Sequence, residues 1–244
     1  MKKAKVDFSS NFERYEKKFL IEPFQWKALL KTIEEHMELD QYGLHTICTL
    51  YYDTADFFYV RHSLNKPTFK EKLRVRSYGI PQKDTQVYLE LKKKVGQITY
   101  KRRVGLSLED CENYLHTLNI PENGEISWQE IDWFCHRTKL EEKILISYDR
   151  LAYFGKQNNN FRITFDQNIR WRAQDLDLTM GDYGRNLLPP KVTLMEVKTL
   201  DALPLWLCEA LSTLKIYPVG YSKYGFAYGA LVTEGEKEAI RCVG

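Results

Sequence analysis

Basic residues, often with a glutamate beside them, recur at i, i+2 spacing inside apolar, strand-like sequence. The sets are Arg14-Glu16-Lys18, Lys72-Arg74-Arg76, Glu90-Lys92, Lys101-Arg103, Tyr148-Arg150 and Glu196-Lys198. A β-strand alternates its side chains between two faces, so each set stands on one face while Tyr15, Leu73, Val75, Leu89, Leu91 and Val197 stand on the other. If the apolar faces pack outward beneath helices, the charged faces converge on a shared interior. An interior so rich in Lys and Arg is costly unless a polyanion fills it. The alternative is the exposed face of an antiparallel sheet, where each charge meets water and a cross-strand partner.

The formal net charge of +3, from 36 Lys and Arg against 33 Asp and Glu, is far too small for a protein that coats nucleic acid. Any electropositive function therefore comes from local arrangement, and no nucleic-acid partner is expected. Cys48, Cys111, Cys135, Cys208 and Cys242 are widely spaced with no C-x-x-C pair, and read as reduced residues of a cytoplasmic protein. No apolar run approaches the roughly 20 residues that span a bilayer, so no intrinsic membrane segment is expected. Walker A, dinucleotide, H-E-x-x-H and G-x-S-x-G patterns are absent.

Period-two and β-branched stretches predict strands at 12–21, 46–52, 70–78, 86–94, 97–106, 144–154, 161–165 and 191–200. Helices are expected from Pro23 through Met37, from a cap at Asp53-Thr54 to Leu64, after Ser107, and over 127–137, 203–214 and 222–232. Residues 175–190 are irregular. No repeat or linker divides the chain, so residues 1–244 are expected to form one domain.

Phosphoryl transfer needs charge neutralised over several oxygens more than it needs a covalent nucleophile. Arginine offers a planar fork for phosphate and lysine a movable point charge, so alternating them along a wall grips a repeating anion. Glu16, Glu90 and Glu196 each stand two residues from a lysine on the same face, placed to hold a divalent cation through oxygen ligands.

The order of these pieces resembles the triphosphate tunnel, or CYTH-like, superfamily, and within it the VTC domain, the polyphosphate-polymerising module of the vacuolar transporter chaperone complex. The likeness rests on 14–18 (RYEKK), 51–54 (YYDT), 73–79 (LRVRSYG), 90–92 (ELK), 148–150 (YDR), 161–163 (FRI), 196–198 (EVK) and 222–224 (SKY). It implies an α+β fold, an antiparallel eight-stranded barrel forming a tunnel with helices packed outside. It implies transfer of the terminal phosphate of ATP to a growing polyphosphate chain with Mn²⁺ or Mg²⁺. Residue by residue, it implies phosphate contacts from Lys18, Arg74, Arg76, Lys92, Lys101, Arg150, Arg162, Lys198 and Lys223, with Arg74, Arg76, Arg150 and Lys198 as the catalytic group. Glu196 is then a metal ligand, and Tyr148 and Ser222 add hydrogen bonds. Strand parity places Arg103 on the face of Lys101.

Two departures bear on the reaction. Hydrolytic members of the superfamily begin with Glu-x-Glu-x-Lys, whereas here the first place is Arg14, which removes one carboxylate and favours transfer over water activation. The loop around Arg61 and Lys66 differs in spacing, so no phosphate role is assigned to Arg61. Other readings are a tunnel triphosphatase and a non-catalytic polyphosphate or nucleotide sensor. The family's eukaryotic polymerases sit beside membrane segments, so a membrane-bound partner that receives product stays an open question.

Overall fold

The structure, a computed structural model, describes residues 15–96, 98–120 and 126–243, with side chains for all of these except 126 and 236–243. Arg14 and Gln97 lie outside the described residues. The strands are β1 (Tyr15–Ile21), β2 (Met37–Leu39), β3 (His45–Asp53), β4 (Phe69–Tyr78), β5 (Gln86–Val95), β6 (Ile98–Ser107), β7 (Glu141–Gly155), β8 (Arg162–Arg172), β9 (Arg185–Asn186) and β10 (Thr193–Thr199). The helices are α1 (Pro23–His36), α2 (Phe58–Leu64), α3 (Leu108–Thr117), α4 (Ile126–Arg137), α5 (Leu205–Thr213) and α6 (Lys223–Val243).

One antiparallel sheet runs in the order β1-β10-β8-β7-β3-β4-β5-β6, with β2 added to β7 and β9 to β8. The expected eight strands are this main path, and the count among the described residues is ten. Among the described residues no ladder joins β6 back to β1, so the barrel is not closed by strand pairing. The free edge of β1 is instead covered by an isolated bridge between Phe19 and Pro218 and by the Val219 amide, which donates to the Lys18 carbonyl at 2.7 Å. An edge capped in this way cannot recruit a foreign strand.

The alternation in the sequence becomes two layers of packing. Leu73, Val75, Leu89 and Leu91 turn outward against Leu108, Cys111 and Tyr114 of α3 and Trp128, Ile131 and Phe134 of α4. Phe19, Ile21, Ile163, Phe165, Met195 and Val197 turn outward against α1 and α5. Each of these side chains, fully buried, contributes about 1.5–3 kcal/mol. Helix starts follow local chemistry. Glu22 and Gln25 form a capping box before Pro23, and the Ser107 hydroxyl accepts from the Asp110 amide at 3.0 Å. Met37, expected at the end of α1, instead opens β2 opposite Gly155 and remains in the core.

A third cluster lies on the inner faces. Ile47, Tyr51, Ile144, Ile146, Trp171 and Leu194 pack with Tyr221, Tyr224 and Ala227 at the start of α6. The helix is fixed there by Asp53. Its carboxylate accepts from the Tyr59 and Val60 amides at 2.9 and 3.0 Å, capping α2, and from the Tyr224 hydroxyl at 2.8 Å. Asp53→Ala strands these buried donors, each worth about 1–3 kcal/mol. Chemical unfolding of that variant should show a loss of at least about 3 kcal/mol, and an unchanged midpoint would remove Asp53 as the anchor.

Candidate functional site

The charged faces do converge. Glu90, completely buried on β5, accepts from Arg74 at 2.7–2.8 Å, Arg103 at 2.5–2.7 Å and Lys101 at 2.6 Å, with Arg76 at 4.0 Å. These cations come from β4 and β6, the two neighbours of β5, because cross-strand partners share a face. Burial alone would raise the Glu90 pKa, but Arg74, Arg76 and Lys101 hold it far below the carboxylate range.

A second centre forms across β1, β7, β8, β10 and α6. Asp166 binds Arg150 through both oxygens, at 2.6 and 2.8 Å, and accepts from Lys223 at 2.5 Å. Glu196 lies 3.4 Å from Lys18, 3.4 Å from Lys223 and 3.7 Å from Lys198. Glu16 lies 3.3 Å from Lys18 and 3.6 Å from Lys92. The last pair spans β1 and β5, bridging with side chains the gap that strand pairing leaves. Burial opposes ionisation of Glu196, yet Lys223, Lys18 and Lys198 hold its pKa well below normal.

Other cations are less fully paired. Among the described residues Lys72 makes no ion pair, and its ammonium donates to the Ser222 hydroxyl at 3.0 Å. Burial, reinforced by Lys18, Lys92, Lys70 and Arg74, pulls its pKa down to about 7. Burial likewise brings Lys101 to about 8 despite Glu90. Arg162 lies over the Phe154 ring with its Nε unpartnered, and Arg76 has an unpartnered Nε while another nitrogen donates to the Tyr148 hydroxyl at 3.2 Å. Buried cationic nitrogens without partners are costly in an empty protein and suit an arriving anion.

The family model that matches the chain is described as the VTC domain and covers residues 13–232. The chain belongs to the VTC domain family. Its fold is similar to solved structures of low identity. One is a Bacillus halodurans protein described as a candidate adenylate cyclase, with a TM-score of 0.53, 16% identity, and 85% of this chain and 92% of that one covered. Another is a Hippeastrum candidate adenylyl cyclase described as revealing a dominant triphosphatase activity, with a TM-score of 0.55, 15% identity, and 88% and 95% covered. A third, a Vibrio parahaemolyticus candidate adenylate cyclase, gives 0.50, 12%, 88% and 97%. No curated protein matches the chain.

In this VTC domain the residues assigned from the sequence to phosphate or metal lie in the two charged centres or beside them. One expectation changes. Glu90 does not join Glu16 and Glu196, because its oxygens face four cations, and among the described residues no three metal-binding side chains converge. Glu16 and Glu196 do stand together around Lys18. Their oxygens face the ammonium groups of Lys18, Lys92, Lys198 and Lys223, which are movable point charges, whereas arginine forks grip Glu90; two carboxylates suit Mg²⁺ when phosphate and water oxygens complete its sphere. The inner faces are not charged throughout, because the apolar cluster of Ile47, Tyr51, Ile144, Ile146, Trp171 and Leu194 shares them with the cations.

Sequence reasoning passed over Asp166 and left Lys72 outside the binding set. Asp166 continues the parity of Arg162 and Thr164, but a bulge at Asn168 (φ 47°) then reverses it, so Ile169 and Trp171 face inward and hide the period. Lys72 and Lys101 carry more charge at low pH, and an anionic chain favours their charged forms. Tripolyphosphate binding should therefore gain about tenfold from Lys72 when it is protonated. The affinity ratio of wild type to Lys72→Gln should fall as pH rises through about 7. Calorimetry showing a pH-independent ratio would contradict this.

Proposed function

We propose that this VTC domain is a metal-dependent phosphotransferase that moves the terminal phosphate of ATP onto a growing polyphosphate chain. The observation that supports it most is the surplus of inward-facing cations over carboxylates, distributed over β1, β4, β5, β6, β7, β8, β10 and α6. A single phosphate needs two or three such groups; a chain of phosphates uses them all.

In this reading Arg74 and Arg76 from the Glu90 centre and Arg150 and Lys198 from the Asp166–Glu196 centre stabilise charge on the phosphoryl group in flight. Lys18, Lys92, Lys101, Arg103, Arg162 and Lys223 hold the flanking phosphates. The Tyr148 hydroxyl, already a partner of Arg76, and the Ser222 hydroxyl, a partner of Lys72, add neutral hydrogen bonds. Glu16 and Glu196 hold Mn²⁺ or Mg²⁺, which when bound neutralises phosphate oxygens. Glu90 and Asp166 keep their arginines fixed in position, so little reorganisation accompanies the reaction.

A triphosphatase reading is favoured by one feature, the partial solvent exposure of Glu16, 28% for its side chain, which leaves room for water near the metal site. Incubation of the purified protein with ATP and Mn²⁺ separates the two. Gel-resolved polyphosphate supports transfer, and free phosphate alone supports hydrolysis. Glu196→Gln should lower metal-dependent turnover at least about a hundredfold while circular dichroism at the assay temperature still reports the folded protein. Arg74→Ala should weaken tripolyphosphate binding by about ten- to a hundredfold, in a salt-dependent way. Unchanged turnover or unchanged binding, respectively, would overturn these roles.

A further inference from the structure

At the C-terminal end of β4, aromatic side chains run outward from the cations in a connected series. Arg103 donates from Nε to Glu90 at 2.7 Å, donates from its Nη2 to the Tyr78 hydroxyl at 3.2 Å, and lies over the Tyr88 ring 4.2 Å from its centroid. Tyr78 and Tyr88 meet edge to face with centroids 5.7 Å apart. His45 follows, 6.1 Å from Tyr78, and then Tyr42, 6.1 Å from His45. Strand alternation puts Tyr78 on the face of Arg74 and Arg76, and Tyr88 on the face of Glu90 and Lys92, so these rings extend the channel wall.

None of the four rings belongs to an apolar core cluster. Tyr78 is 48% exposed and Tyr42 70%, so both side chains are open to solvent, and Tyr78 stands beside a guanidinium that already reaches into the anion site. The neighbouring histidine is held by its own turn, with Nδ1 3.0 Å from the Gly43 carbonyl. A phosphate chain has no flat face to offer such a surface. A nucleoside joined to that chain does, and Arg103 stands where the charged part of the ligand would give way to the planar part.

We propose that Tyr78, backed by Tyr88 and Arg103, is the shelf on which the base of the nucleoside triphosphate donor stacks while its phosphates occupy the channel. This rests on the phosphotransferase reading above. Stacking of this kind tolerates any base, because every base presents a π face. The shelf thus distinguishes a nucleotide from a bare phosphate chain and discriminates weakly among nucleotides.

The test compares calorimetric affinities of ATP and tripolyphosphate for wild type, Tyr78→Ala and Tyr78→Phe. Loss of the ring should weaken ATP about tenfold and leave tripolyphosphate within about twofold, while Tyr78→Phe keeps ATP within about twofold. Independently of any variant, wild type should bind ribose 5-triphosphate, which lacks the base, about tenfold more weakly than ATP. Equal losses for ATP and tripolyphosphate would reduce Tyr78 to a support for Arg103 and overturn the proposal, as would no loss for either, or equal affinity for ATP and ribose 5-triphosphate. If wild type binds none of these ligands, the channel reading falls and the shelf with it.

Discussion

Glu90 is the contact on which the interior depends. A sheet that turns Arg74, Arg76, Lys101 and Arg103 toward one another builds a like-charge cluster, and only a desolvated carboxylate among them makes it tolerable. Removing one partner from such a buried group typically costs about 3–5 kcal/mol, because the remaining charges are left uncompensated. Asp166 does the same for Arg150 and Lys223. Between these centres the compensation is incomplete, and the shortfall is met when an anion binds. Saturating ligand at about a hundred times its dissociation constant would stabilise the folded chain by about 2.7 kcal/mol.

The outer layer makes this possible. Helices α1, α3, α4 and α5 bury the apolar sides of the strands, so the charged sides have only one another and the channel to face. Helix α6 has a different task. Asp53 holds Tyr224, the Tyr224 ring stacks on Tyr51 at 4.4 Å, and the first turn of the helix thereby sets Lys223 against Asp166 and Ser222 against Lys72. One buried hydrogen bond far from the chemistry positions two candidate binding groups.

Much of this was legible in the sequence because strand geometry has a strict period. Leu73 and Val75 against Arg74 and Arg76 specify opposite faces whatever the partners are, and Lys101 and Arg103 point inward together for the same reason. What could not be read depends on contacts distant in sequence. Parity alone does not tell a metal ligand from a counter-ion, so Glu90 looked equivalent to Glu196 until Arg74 and Arg103 were seen on either side of it. The bulge at Asn168 concealed Asp166, and the side-chain bridge between Glu16 and Lys92 has no sequence signal at all. The departure at Arg14 lies outside the described residues.

The apolar cluster divides the interior into an oily part and a salty part. Ile144, Ile146, Trp171 and Leu194 offer a charged guest nothing to grip. Anions and water are therefore confined to the strip of wall that the cations line, and the boundary between oil and salt, without any moving gate, fixes where a charged ligand can sit.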